Sequence, residues 1–163
     1  MLEIGVLAGE RVELIEGELL VMNAQGPVHA TLTVRLRRAL EKAFGDEFHV
    51  RDHSPVAGTV DSIPEPDVAV VRGAPEDFST RHPGAAEVPL VVEVSSSSLN
   101  LDRRKAGIYA SVGYATYWIV DVAARRIEVH TSPKGGVYTK TEIVADDGDV
   151  VASGRTLRVS SLL

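Results

Sequence analysis

Two acidic residues stand where their neighbours predict a buried environment, and together they could bind a divalent cation. Glu93 interrupts the apolar stretch "LVVEV" (90–94), where an uncompensated carboxylate is costly. Asp67 follows "PEP" and opens the apolar stretch "DVAVV" (67–71). If these strands are neighbours, the two carboxylates meet at one edge of the core, and carboxylate oxygens are preferred ligands of Mg²⁺ and Mn²⁺. The pair therefore predicts a metal site that would offset the burial of Glu93.

A lysine follows on a predicted helix. Lys105 shares one helical stripe with Leu101, Ile108 and Val112, at spacings of four, three and four. It therefore lies on the apolar side of the helix, near its beginning, and its ammonium could reach back to the C-terminal end of the preceding strand. Loops at that end of α/β sheets usually build sites. A lysine on this face near two acids predicts an ion pair or a catalytic cation.

Each of these residues also has a purely structural explanation. Asp67 could be a strand-entry residue that hydrogen-bonds to a turn. Glu93 could pair with a structural arginine. Lys105 could extend along the sheet to water. The combination of all three favours a shared site over three separate structural roles.

Other candidate residues carry weaker signals. Ser95 lies two positions after Glu93 and so faces the same side of a strand. The serine run 95–98 lacks a nucleophile elbow, so we expect it to form a loop and helix entry, with Asn100 as the N-cap. The five histidines (29, 49, 53, 82 and 130) match no zinc motif. His29, at the start of the first predicted helix, is retained as a possible accessory residue.

The pattern of apolar residues predicts a mixed α/β sheet with helices packed on it. Residues 11–22 predict a hairpin with its turn at Glu16 and Gly17. Pro27 and Gly45 mark the start and stop of a helix over 26–46, and a second helix is predicted over 101–113. Strands are predicted over residues 47–51, 54–58, 67–71, 89–94, 115–122, 126–131 and 136–143, with a long loop over 76–87. The strand–helix–strand passage 89–122 has the length of a parallel crossover.

Composition and charge place the chain among ordinary globular proteins. Its 163 residues, 44% of them hydrophobic, suit a single domain over 1–163. The 17 basic and 23 acidic residues give a net charge of −6, which does not indicate a nucleic-acid binder, although local patches matter more than the sum. The absence of cysteine excludes disulfides and thiolate metal sites. We see neither a signal peptide nor an apolar run of about 20 residues, and we expect a cytoplasmic protein with no membrane contact.

Several stretches together resemble a known family. "PEPDVAVV", "PLVVEVSSSS", "LDRRKAGIYASVG" and "ATYWIVDVAARRIEVH" resemble the Uma-type restriction endonucleases, which belong to the PD-(D/E)xK nuclease superfamily. "VELIEGELLVM" and "PVHATLTVRLRRAL" are similar to that family's opening hairpin and first helix, so the resemblance spans nearly the whole chain. It implies a restriction-endonuclease-like core, with a mixed sheet, flanking helices and an N-terminal β-hairpin.

The resemblance also implies an activity, the hydrolysis of phosphodiester bonds by a Mg²⁺-dependent (or Mn²⁺-dependent) endonuclease. Asp67 and Glu93 take the places of the two motif acids and, with the backbone carbonyl of Val94, would hold the metal. Ser95 stands where the superfamily usually has its lysine, and Lys105 on the following helix takes that role. Lys105 would orient or activate the attacking water, or stabilise charge on the phosphate. Glu13 on the hairpin and His29 are accessory candidates.

The expected substrate is double-stranded DNA, since an aromatic content of 5% offers little for stacking on single strands. A basic helix face could hold DNA phosphates, although an ordinary solvated face is the favoured explanation. This face comprises Arg35, Arg37, Arg38 and Lys42. The resemblance implies a homodimer. Two other functions stay open. One is an inactive nuclease-fold module that binds nucleic acid or protein, and the other is a hydrolase of smaller phosphoesters.

Overall fold

The computed structural model describes residues 12–22 and 24–163. Its first element is a β-hairpin. Strand β1 (Val12–Ile15) pairs antiparallel with β2 (Glu18–Val21). The turn residues Glu16 and Gly17 have φ angles of 50° and 81°. Positive φ at both central residues gives a two-residue turn whose twist matches that of the strands. The predicted hairpin is confirmed, except that Arg11 lies outside the described residues.

Six strands form the central sheet, which is mixed as predicted. They are β3 (Phe48–Asp52), β4 (Val68–Arg72), β5 (Leu90–Ser95), β6 (Thr116–Asp121), β7 (Arg126–Lys134) and β8 (Val137–Ala145). They are ordered in space as in sequence, and β5 and β6 are parallel while the other pairs are antiparallel. A second small hairpin, β9 (Asp149–Ala152) with β10 (Arg155–Arg158), precedes the C-terminus.

Helices cover the two faces of this sheet. Helix α1 (Pro27–Phe44) begins at a proline, whose missing N–H is tolerated there, and ends before Gly45. Helix α2 (Leu99–Val112) provides the crossover from β5 to β6 and ends at Gly113, which has the left-handed conformation (φ 94°) typical of helix C-termini. A short third helix, α3 (Val159–Leu162), closes the chain. Among the helices that the structure describes, none is both long and apolar enough to cross a bilayer.

The alternation of side chains along β5 decides which way Glu93 faces. Leu90, Val92 and Val94 belong to the core under α1, whereas Val91 belongs to the core under α2. Because successive residues of a strand point to opposite faces, Glu93 faces α2. The acid therefore enters a core whose other wall is a helix that can supply a cation.

The strand predicted over residues 54–58 is wrong. The segment between β3 and β4 is irregular, and its backbone donors turn to other loops: Val56 N donates to Pro64 O (3.1 Å) and Ala57 N to Pro83 O (2.9 Å). Proline lacks the N–H that a ladder needs, and Pro55, Pro64 and Pro66 all fall in this segment. The predicted helix cap is also wrong, since α2 begins at Leu99 and places Ser98 rather than Asn100 at the N-cap position.

Candidate active site

A cavity of about 520 Å³ lies where β5 ends and α2 begins. The β1–β2 hairpin forms one wall, and the first turn of α1 forms another. Its lining includes five carboxylates, those of Glu13, Glu65, Asp67, Glu93 and Asp102, and one lysine, Lys105. The two strongest sequence candidates and the helix lysine therefore share one cavity, and its described lining carries a clear excess of negative charge.

Asp67 and Glu93 meet because the pairing of β4 with β5 stops just before them. The last paired residues are Val68 and Val92, so Asp67 stands beside the open end of β5. The backbone N–H of Asp67 donates to Glu93 Oε2 (3.3 Å). In return, the backbone N–H of Val94 donates to Asp67 Oδ2 (2.8 Å). Each acid is thus fixed by the backbone of the strand that carries the other.

Lys105 approaches from α2 and pairs with two carboxylates. Its Nζ lies 3.0 Å from Glu93 Oε1 and 2.8 Å from Glu13 Oε2, and all three side chains are almost fully buried. The hydroxyl of Tyr109, one helical turn further on, also donates to Glu93 Oε1 (2.9 Å). Glu13 reaches the site from β1, where its other oxygen accepts a hydrogen bond from Glu65 N (2.7 Å). Lys105 and Tyr109 compensate part of the cost of burying Glu93.

Two imidazoles contact Asp67 on its other side. His29, in the first turn of α1, donates through Nε2 to Asp67 Oδ2 (3.0 Å). His53, which follows β3, places Nδ1 3.3 Å from Asp67 Oδ1, and its ring stacks on that of His29 with 6.2 Å between centroids. Gln25 contacts His53 in turn (3.1 Å). The carboxylate of Asp67 is therefore held in one orientation by both rings.

The surroundings of the two acids shift their pKa values in opposite directions. Burial would raise the pKa of Asp67, but the hydrogen bonds from His29 and His53 outweigh it and hold that pKa well below its usual value. Burial raises the pKa of Glu93 well above its usual value; Lys105 opposes the rise, and the charge of Asp67 adds to it. Burial would lower the pKa of Lys105, but Glu93 and Glu13 keep it above its usual value. The raised pKa favours the ammonium form of Lys105.

We expect a cation to compete with a proton at Glu93. The pKa of this carboxyl is raised above that of an ordinary glutamate, which is about 4.3. On acidification, metal affinity should therefore begin to fall at a higher pH than it would if the ligand were an ordinary glutamate. Carboxyl ¹³C NMR titration measures this directly in the metal-free protein and again with Mg²⁺. The midpoint of Glu93 should lie above those of the exposed glutamates and fall when Mg²⁺ is added. A midpoint at or below the ordinary value would contradict this electrostatic description.

The donor set fits a cation of the Mg²⁺ class. Among the described residues no three acidic or histidine side chains already stand together as a metal site. Mg²⁺ does not need such a cage, because it is usually held by one or two carboxylates and keeps several waters or substrate phosphates as its other ligands. Asp67 and Glu93 supply two adjacent carboxylates, and the surplus of acids in the cavity favours a dication.

The backbone at Val94 is consistent with a third oxygen ligand. A residue in an extended strand directs its N–H and C=O toward the same side. The N–H of Val94 points to Asp67, and β4 has no residue paired there. The carbonyl of Val94 therefore faces the side of β5 on which the Asp67 carboxylate lies.

The remaining sequence candidates lie outside the cavity. Ser95 is buried on β5 and is not part of the lining, which instead includes serines 96–98. The basic residues of α1 lie on a part of the helix that does not reach the cavity. Lys42, for example, stands 13 residues beyond His29, about 20 Å along the axis. Arg35 bonds to Ser161 O (3.4 Å), and Arg37 pairs with Glu41 (2.9 Å). Arg38 and Lys42 face solvent.

Some residues of the site had no role in the sequence-based description. Tyr109 and Asp102 stand one turn after and one turn before Lys105, so their helical spacing was an available signal for both. Asp102 lines the cavity and accepts a hydrogen bond from the Ser98 hydroxyl (2.6 Å). His53 offered no comparable signal, because it comes from the irregular segment after β3.

Comparisons with known proteins agree with this fold. The chain is 16% identical to a crystal structure from Anabaena variabilis described as "a putative nuclease belonging to DUF820", with a TM-score of 0.75 over 93% of this chain and 88% of that one. It is 26% identical to the uncharacterized protein sll1609 of Synechocystis, over 88% of this chain and 84% of the relative. The model of the Uma2 family, described as "Putative restriction endonuclease", matches residues 2–162. The chain therefore belongs to the Uma2 family, as the sequence predicted, and has the nuclease-like fold expected of it.

Proposed function

We propose that the protein is a metal-dependent endonuclease that hydrolyses phosphodiester bonds in double-stranded DNA with Mg²⁺ or Mn²⁺. One observation carries the proposal. Glu93 accepts the backbone N–H of Asp67, Asp67 accepts the backbone N–H of Val94, and both acids line one cavity with the ammonium of Lys105. Membership of the Uma2 family and the nuclease-like fold support a nuclease role.

The two acids provide ligands for the cation. Asp67, Glu93 and the carbonyl of Val94 would hold the metal. When bound, it would supply Lewis acidity that activates water and offsets charge on the phosphate. The two histidines and Tyr109 fix the carboxylates in orientation, so little reorganisation is required when the substrate arrives.

The protonation state of Lys105 restricts its role. A group that keeps its proton cannot remove one from water, and two carboxylates stabilise the charged form of Lys105. Of the roles considered from the sequence, proton removal is therefore disfavoured. We infer that Lys105 acts through its charge, by orienting Glu93 and by stabilising negative charge that builds on the phosphate.

The acidic lining makes DNA binding dependent on the metal. Five carboxylates face one lysine in the described cavity, so a phosphate would be repelled without a dication. We expect binding of a nuclease-resistant phosphorothioate duplex, followed by fluorescence anisotropy at constant ionic strength, to be at least about tenfold tighter in Mg²⁺ than in EDTA. A combined Arg35→Ala, Arg38→Ala and Lys42→Ala variant is the control. If the wild-type protein bound the duplex equally well in Mg²⁺ and in EDTA, and the triple variant did not bind it, the DNA would bind to the basic face of α1 and not at the cavity.

Plasmid cleavage tests the proposal as a whole. Supercoiled DNA is incubated with the purified protein in Mg²⁺, in Mn²⁺ and in EDTA. Conversion to nicked or linear forms that needs either metal is expected. An absence of cleavage in both metals, with the metal shown to be bound, would overturn the catalytic proposal and favour the inactive binding module.

Cutting both strands of a duplex in one binding event takes two sites, which a homodimer would provide. Light scattering coupled to size exclusion, with and without duplex DNA, measures whether two chains associate. We propose a dimer, at least on DNA, and a strictly monomeric complex that only nicks would argue against it.

The size of the cavity favours a second candidate, a phosphodiesterase that acts on small substrates. A volume of about 520 Å³ falls within the range typical of small-ligand pockets. A panel of nucleotides, cyclic nucleotides and model phosphodiesters separates the two. Turnover of a small diester much faster than of any DNA would favour this alternative.

A further inference from the structure

We propose that Glu13 is a positioning residue that retains the Lys105 ammonium in the site while Glu93 binds the divalent cation. This inference rests on the proposed metal-dependent function. It makes the N-terminal hairpin a working part of the site, since Glu13 stands on β1.

The geometry gives Glu13 a fixed position beside Lys105. Its Oε2 lies 2.8 Å from Lys105 Nζ, and its Oε1 accepts the backbone N–H of Glu65 at 2.7 Å. The side chain is 1% exposed. The neighbouring residue on β1, Leu14, bonds to Ile63 through a β-bridge (2.8 Å), so the strand itself is anchored to the same loop. The Glu13 side chain cannot rotate toward a bound metal without losing its contacts with Lys105 Nζ and Glu65 N.

The charges explain why a second partner for Lys105 is needed. In the described arrangement Glu93 shares its negative charge with Lys105 at 3.0 Å. A dication bound to Glu93 would take up that charge and repel the ammonium. Lys105 is almost fully buried, and a buried charge that loses its partner strongly destabilises its surroundings. Glu13 remains as the counter-ion, so that the dication and the ammonium can be held together.

Metal binding by two matched variants tests this role. Glu13→Gln removes the partner of Lys105. Asp102→Asn removes another buried carboxylate of the same cavity, one that bonds to the Ser98 hydroxyl instead. Mn²⁺ affinity is measured by electron paramagnetic resonance, and thermal stability is measured with and without Mn²⁺. We expect Glu13→Gln to bind Mn²⁺ at least about tenfold more weakly than Asp102→Asn and to gain less stability from it.

A purely structural Glu13 gives a different pattern. The Glu13→Gln variant would then lose the same thermal stability with and without Mn²⁺, and its Mn²⁺ affinity would equal that of Asp102→Asn. This result would overturn the role of Glu13 but leave the proposed metal site intact. An unsubstituted protein that binds no Mn²⁺ would overturn the proposed metal site as well.

A measurement on the unsubstituted protein covers the case in which Glu13→Gln does not fold. In protein labelled with ¹⁵N-lysine, the buried ammonium of Lys105 should give a slowly exchanging signal. We expect that signal to persist when Mg²⁺ saturates the site, because Glu13 still holds the ammonium. Its loss through fast exchange on addition of Mg²⁺ would show that Glu13 does not retain Lys105.

Discussion

Replacing Asp67 with asparagine should reduce metal-dependent DNA cleavage by about 10³-fold or more, equivalent to roughly 4 kcal/mol of transition-state stabilisation. Asparagine has the shape of aspartate, and its amide oxygen can still accept the N–H of Val94 that now bonds to Oδ2 (2.8 Å). What it lacks is the charge that the cation requires. The rate is measured on supercoiled plasmid over a series of Mg²⁺ concentrations, so that weak binding and slow chemistry are separated.

A matched variant controls for the loss of a carboxylate. Asp46→Asn makes the same change in the exposed turn between α1 and β3, away from the cavity lining. It should cleave at the wild-type rate. Retention of full activity by Asp67→Asn, with an unchanged Mg²⁺ requirement, would exclude Asp67 from the site.

Replacing Lys105 with methionine should cost about 3–5 kcal/mol of folding stability, because it leaves two buried carboxylates without their cation. For a chain of this length that corresponds to a fall in melting temperature of roughly 10 °C. The loss should be smaller at low pH, because burial raises the pKa of Glu93 and protonation of this residue removes one of the two uncompensated charges. Calorimetry at several pH values measures both effects.

Two further variants identify the cause of that loss. Lys42→Met makes the same substitution on the exposed part of α1 and should change the melting temperature little. Adding Glu13→Gln and Glu93→Gln to Lys105→Met should recover much of the stability, because the uncompensated charges are then removed. A Lys105→Met protein as stable as the wild type would mean that the buried ion pairs contribute nothing to the fold.

The core of this site could be predicted because it depends on short-range patterns. The alternation along β5 places Glu93 on one known face, and the helical stripe places Lys105 on the apolar side of α2. A crossover of the right length brings that helix over the strand that precedes it. These rules are local, so the sequence is sufficient for them.

The contacts that the sequence did not predict depend on long-range packing, including the contact of the accessory candidate Glu13 with Lys105. Glu13 meets Lys105 only because the hairpin docks on the loop that carries Glu65. His53 meets Asp67 only because the proline-rich segment after β3 follows an irregular path, and the same segment produced the wrong strand over 54–58. Tyr109 looks like an ordinary core residue in the sequence, and its hydroxyl acquires a role only from the acid opposite it.

Anomalous diffraction from crystals soaked in Mn²⁺ tests the central claim most directly. We expect one strong peak in the cavity, about 2 Å from a carboxylate oxygen of Asp67 and from one of Glu93, with Lys105 still paired to Glu13. At saturating Mn²⁺, a peak bound elsewhere with these two acids unliganded, or no peak at all, would contradict the account.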